Sequence, residues 1–179
     1  DNCVAFVEAG GLSFLCPLLV GHGVPKDAKG KSIGDRRSMD AALLAMLSEL
    51  CSLLCVDLKR TLTALPADQR RVYASRVAAK LTESGGEKAL HCCGVFIKCA
   101  ERLNFTDFQL EATRKRMLEE GADEEEVEEF STPEFSTARR LEGGLAGMQD
   151  AAVIMACAAL DSATRANIEK RLRVADFGW

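Results

Sequence analysis

The 179-residue sequence has few aromatic residues, 6% in all, with one Trp and one Tyr. It has only four Pro and no stretch of useful length that alternates apolar with polar residues. Strands favour aromatic and β-branched side chains in a period of two, so a sheet is excluded as the organising element. Long apolar runs are also missing. The longest uninterrupted one, Ala151 to Leu160, is ten residues, too short to span a bilayer. No signal-peptide pattern opens the chain, and no membrane partner is expected. Positive charge is not in excess: 23 Lys and Arg stand against 27 Asp and Glu, a net charge of −4. Phosphate binding needs clustered cations, so direct nucleic-acid binding is not expected either.

What the chain does have is 47% hydrophobic residues, rich in Leu and Ala, at a length that can bury a core of its own. Eight cysteines accompany two histidines. The spacings Cys51-x₃-Cys55, Cys92-Cys93 and Cys99, with Cys3, Cys16 and Cys157 isolated, make no metal-ligand set. All lie in apolar helical stretches, where a free thiol acts as a small hydrophobe. A reducing compartment is therefore expected, with no metal and no cofactor.

The stretch "FVEAGGLSFLCPLLVG", residues 6–21, holds two apolar runs separated by Gly10 and Gly11. It reads as a helix ending at Gly10 and a second helix over 12–20, packed through Leu12, Leu15, Leu18 and Leu19. A Gly-rich basic loop, 22–37, follows. Ser38 is placed to cap a mostly buried helix from Met39 to Leu58, whose polar strip is Ser48, Glu49 and Ser52. Pro66 suits the first turn of a helix reaching Leu81, and Ser84 with Glu87 reads as a capping box. In "FTDFQL", Thr106 and Gln109 read as a second capping box, with Phe105 against Leu110 as a hydrophobic staple. That helix stops near Gly121. Thr132 and Pro133 open a long helix to Leu160, and Ser162 caps a last one to about Val174. The sum is an all-α domain over 1–179, divided into a junction (1–21), the basic loop (22–37), helical layers (38–121), an acidic connection (122–135) and C-terminal helices (136–179). Because the chain starts without Met inside a helix, it is expected to be a piece of a longer protein.

Residues 119–134 carry nine acids and no base: Glu119, Glu120, Asp123, Glu124, Glu125, Glu126, Glu128, Glu129 and Glu134. This run reads either as a solvated loop between helices or as a docking surface for a basic peptide, and the two are compatible. Arg139 and Arg140 either meet a partner or turn back on neighbouring carboxylates such as Glu142. Gly143, Gly144 and Gly147 would each cost about 1 kcal/mol inside a helix relative to Ala. Either the helix breaks there or another helix approaches closely, and the one-turn spacing of Gly143 and Gly147 favours the approach. His91-Cys92-Cys93 invites a thiol-enzyme reading. Adjacent residues on a helix diverge by about 100°, however, so His91 lies on the polar face and Cys93 on the apolar one. Phe177 and Trp179 either cap the last helix or touch a neighbour.

The Gly10-Gly11 corner resembles the junction between consecutive armadillo repeats. "EFSTARRLEGGLAGMQDAAVIMA", with Arg139-Arg140-Leu141-Glu142, Gly144-Leu145, Gln149 and Ile154-Met155-Ala156, resembles the C-terminal region of the catenin-beta-like family of nuclear armadillo proteins. The acidic run upstream and the basic loop after the corner fit the same pattern. The resemblance is dense at 6–21 and 134–160, while 59–104 fits by helix pattern.

It implies an armadillo-like helical-repeat superhelix, of which this chain is a C-terminal segment. It also implies a non-enzymatic nuclear scaffold, associated with the Prp-nineteen spliceosomal complex and able to recognise basic nuclear-localisation segments of splicing factors. Candidate partner-binding residues are Asp123, Glu124, Glu125, Glu126, Glu128, Glu129, Arg139 and Arg140; Gly10, Gly11, Gly143 and Gly144 are structural corners. An importin-like groove would need a ladder of Trp and Asn, and one Trp with three Asn cannot supply it. Recognition is then electrostatic, or it resides in further repeats. A generic armadillo or HEAT adaptor outside the spliceosome and a helical thiol enzyme are the alternatives; a homo-oligomer is compatible with the scaffold reading.

Overall fold

The computed structural model describes residues 2–24, 36–55 and 66–176. They form α1 (Asn2–Glu8), α2 (Gly11–Leu19), α3 (Arg36–Leu54), α4 (Ala67–Glu120), α5 (Glu124–Phe130), α6 (Pro133–Gly143), α7 (Leu145–Ala158) and α8 (Ser162–Val174). No strand occurs among the described residues, so the all-α class holds. Most of the basic loop, the end expected for α3 at Leu58, and both Phe177 and Trp179 lie outside the described residues. The helices form two compact units, residues 1–94 with 150–179, and residues 95–149.

In the first unit α1 and α2 meet at 87°. The two glycines at this corner serve different needs. Gly10 has φ 79°, the left-handed conformation that turns the chain. Gly11 is helical, but a Cβ there would lie 2.4 Å from the Phe6 ring. Leu12, Leu15, Cys16 and Leu19 are buried, and α2 packs on α3 through this face. Leu43, Leu44, Leu47, Leu50, Cys51 and Leu54 supply the α3 side, while Ala151, Ile154, Cys157, Ile168 and Leu172 bring in α7 and α8. The polar strip expected on α3 is narrower than it looks in sequence. Ser48 and Ser52 are buried, leaving Glu49 exposed. Nor does Ser38 cap α3, which begins at Arg36.

The Ser84–Glu87 capping box does not form. Within α4 the backbone leaves the helical region at Glu83 (ψ 150°), Ser84 (φ 56°), Gly85 (φ 70°) and Gly86 (φ 79°). The span is therefore two helices, 67–82 and 87–120. A capping Ser needs extended backbone, and Ser84 is left-handed. Glu83 secures the break instead, meeting Lys80 Nζ at 2.8 Å and Lys88 Nζ at 3.7 Å. A Cβ on Gly86 would sit 3.1 Å from Thr164 Cγ2 of α8. The last helix is capped one residue earlier than expected: the Asp161 carboxylate, rather than Ser162, accepts from Thr164 N at 2.8 Å.

In the second unit the helix runs through "FTDFQL" without interruption, which overturns the Thr106 cap and the Phe105–Leu110 staple. Thr106 Oγ1 donates to the Arg102 carbonyl at 2.9 Å, a bond made inside a helix. No Gly or Pro lies between 95 and 120 to stop the helix. It ends at Gly121, φ 78°, as expected. The acidic stretch, expected as a connection, contains helix α5. Asp123 caps it, accepting from Glu126 N at 2.8 Å, and Glu124, Glu125 and Glu126 fill a first turn whose dipole favours negative charge.

Thr132 caps α6 through Phe135 N at 3.2 Å, with Pro133 in the first turn. The long helix expected to reach Leu160 is divided by Gly144 at φ 109°. Both readings of the glycine cluster hold at neighbouring positions. Gly144 breaks the helix, and Gly143 is closely approached: a Cβ there would meet Thr106 Oγ1 at 2.9 Å.

Candidate partner-binding surface

The α5 sequence EEEVEEF places one residue, Val127, in the interior. Asp123, Glu124, Glu125, Glu126, Glu128 and Glu129 are all exposed. None of the six forms an ion pair among the described residues, and at about 100° per residue the six carboxylates fan out around about two turns of helix. Val127 is buried, and the aromatic pair Phe130–Phe135, with ring centroids 4.8 Å apart at 44°, joins α5 to α6. The acids are thus displayed from a seated helix.

Arg139 and Arg140 turn to carboxylates within the second unit. Arg139 Nη1 meets Glu142 Oε2 at 2.8 Å, one turn along α6. Arg140 donates from Nε and Nη2 to the two oxygens of Asp107 at 2.8 and 2.7 Å. This fork holds the Asp107 carboxyl below its usual range. Arg140 therefore positions α6 on α4. Asp107 was missed in sequence because the capping-box reading placed it in a first helical turn, whereas it is 33 residues from its partner.

A cleft of about 570 Å³ lies in the same unit, lined among others by Phe108, Leu110, Arg116, Phe130, Phe135 and Arg139. Phe105 and Phe108 are 59% and 70% exposed. Of the two, Phe108 lines the cleft, and the staple reading hid the continuous helix that presents it.

The thiols are placed for packing. Cys92 and Cys93 are buried; burial first, then the neighbouring Cys16 and Cys93 sulfurs, push the Cys92 thiol up to about 12. Burial also raises Cys93. A nucleophilic cysteine needs the opposite shift. In the core of the first unit, Cys51, Cys55 and Cys157 lie close enough to perturb one another, and Cys55 Sγ donates to the Ala74 carbonyl at 3.8 Å. The interaction with Cys157 raises both Cys51 and Cys55, Cys55 to about 12. None of the eight cysteines is bridged. Among the described residues no three His, Cys, Asp or Glu side chains are placed to hold a metal ion. No single helix among them is long and apolar enough to cross a membrane.

Helices turning at left-handed glycines, with buried thiols and charged outer faces, make an all-α protein with no strand among the described residues. The family described as "Catenin-beta-like, Arm-motif containing nuclear" matches residues 1–178, and the chain belongs to it. The armadillo-like expectation therefore stands together with the all-α class. No curated protein and no solved structure gave a match.

Proposed function

We propose that this chain is a non-enzymatic protein-binding scaffold of the nucleus that works with the Prp-nineteen spliceosomal complex in pre-mRNA splicing. On this reading it recognises Lys- and Arg-rich localisation segments of splicing factors through the outer face of α5. Membership of a nuclear Arm-motif family supports the setting. The observation that carries the binding mode is the set of exposed carboxylates Asp123, Glu124, Glu125, Glu126, Glu128 and Glu129 on a seated helix, none of them ion-paired among the described residues. Exposed ion pairs contribute only about 0–1 kcal/mol each, so affinity comes from several acting together, with the field raising the association rate.

The test is titration of a labelled basic localisation peptide against the chain and against a variant with the five Glu of α5 changed to Gln. The expected result is a marked loss of affinity in the variant, and a wild-type affinity that falls as salt rises. Equal binding by both proteins would refute the assignment of α5.

A further inference from the structure

The cleft between α4, α5 and α6 has a chemistry opposite to that of α5. Its lining is apolar at Leu110, Phe130 and Phe135, with Phe108 at the rim, and its charged walls are Arg116 and Arg139. No Asp or Glu lines it, although nine acids lie within residues 119–134. Arg116 forms no ion pair or hydrogen bond among the described residues, and Arg139 uses one nitrogen, Nη1, on Glu142. Phe108 keeps 70% of its surface in water at the rim of a hollow. About 570 Å³ is within the range of side-chain and small-ligand sites.

We propose that this cleft receives a partner protein segment presenting an aromatic or bulky aliphatic side chain beside a carboxylate. The anchor stacks against Phe108, Phe130 and Phe135, and the carboxylate reaches Arg116 and the unused part of the Arg139 fork. Arg suits this task, being planar and able to give two parallel hydrogen bonds to one carboxylate. Burial of an aromatic anchor gives affinity, and the charge pairing gives selectivity. A basic segment suited to α5 is repelled here, so the two surfaces sort partners by sign of charge. This reading stands independently of the basic-peptide function proposed above.

The test uses the full chain and a short labelled peptide with one Phe flanked by two Glu, alongside versions with Gln or Lys in place of Glu and with Ala in place of Phe. Phe108→Ser and Arg116→Glu change exposed side chains, and circular dichroism confirms that helicity is kept. Saturable binding of the Glu peptide is expected. It should weaken roughly tenfold in Phe108→Ser, weaken in Arg116→Glu with recovery of the Lys version, and survive removal of the α5 carboxylates. The proposal is overturned by absence of saturable binding up to about 1 mM peptide, by equal affinity for the Glu and Gln versions, or by wild-type preference for Lys. It is equally overturned if sedimentation shows a second copy of the chain filling the cleft and the peptide does not displace it.

Discussion

Arg140 and Asp107 form a two-pronged pair, Nε to Oδ1 at 2.8 Å and Nη2 to Oδ2 at 2.7 Å, which ties α6 to α4 in the second unit. Both side chains are about half exposed, 50% and 40%, so solvent screening limits the pair to roughly 0.5–1 kcal/mol. Asp107→Asn should destabilise the chain by about that amount in urea at neutral pH. The folded-state value of Asp107 is depressed, so its stabilisation is present above the unfolded carboxyl value of about 4 and is lost as pH falls through the folded value below it. The gap between wild type and variant should close in that acid window. A gap that instead persists at pH 2 would count against the charged pair.

Gly144 combines a φ of 109° with a close neighbour, since a Cβ would fall 3.4 Å from Cys99 Sγ. Gly144→Ala should lower stability by about 1–2 kcal/mol through left-handed strain. Gly144→Leu should cost more, because the added branch must displace Cys99 or Arg102. Denaturant midpoints measure both, and an Ala variant as stable as wild type would mean that α6 and α7 join in some other way.

The cysteines offer a direct check on the thiol-enzyme reading of His91-Cys92-Cys93. Cys92 is fully buried and its thiol is pushed up to about 12. Iodoacetamide at pH 8 should label it at least about a hundredfold more slowly in the folded chain than in urea. Peptide mapping by mass spectrometry reads this site by site. Fast labelling of folded Cys92 would reopen the enzyme reading.

Asp123 tests whether order in α5 matters, apart from its charge. Asp123→Ala removes the side-chain acceptor for Glu126 N and should cost the helix about 1 kcal/mol, while all five glutamates remain. Binding of the basic peptide should fall by more than in Glu124→Gln, which removes one charge and keeps the cap. Equal losses in the two variants would show that charge count alone decides.

The sequence allowed the all-α class, the Gly10 corner, the Gly121 stop and the Thr132–Pro133 start to be read, because each rests on interactions within a few residues. At "FTDFQL" the capping pattern was complete, yet nothing upstream of Thr106 halts a helix, and the hydroxyl bonds back to Arg102 instead. At Ser84 the same motif lost to three successive left-handed residues. In α5 the charge density suggested a loop, but the Asp123 cap and the single buried Val127 were enough to order a short helix. The acidic row and both arginines were visible in sequence. Asp107, Phe108 and Arg116 were not, because what brings them into use is packing between α4 and α6.

The bend at Glu83–Gly86 also separates two rotational phases. Val77 and Leu81 point inward from one helix axis, Ala89, Cys92 and Cys93 from another, so neither set dictates the angular position of the other. An extra residue beside Gly85, which has nothing within 4 Å of its would-be Cβ, can be taken up by the turn. The same insertion at Ala112 would rotate all later α4 side chains by about 100°. Length variation in α4 is thus tolerated at one address and punished along the rest of the helix.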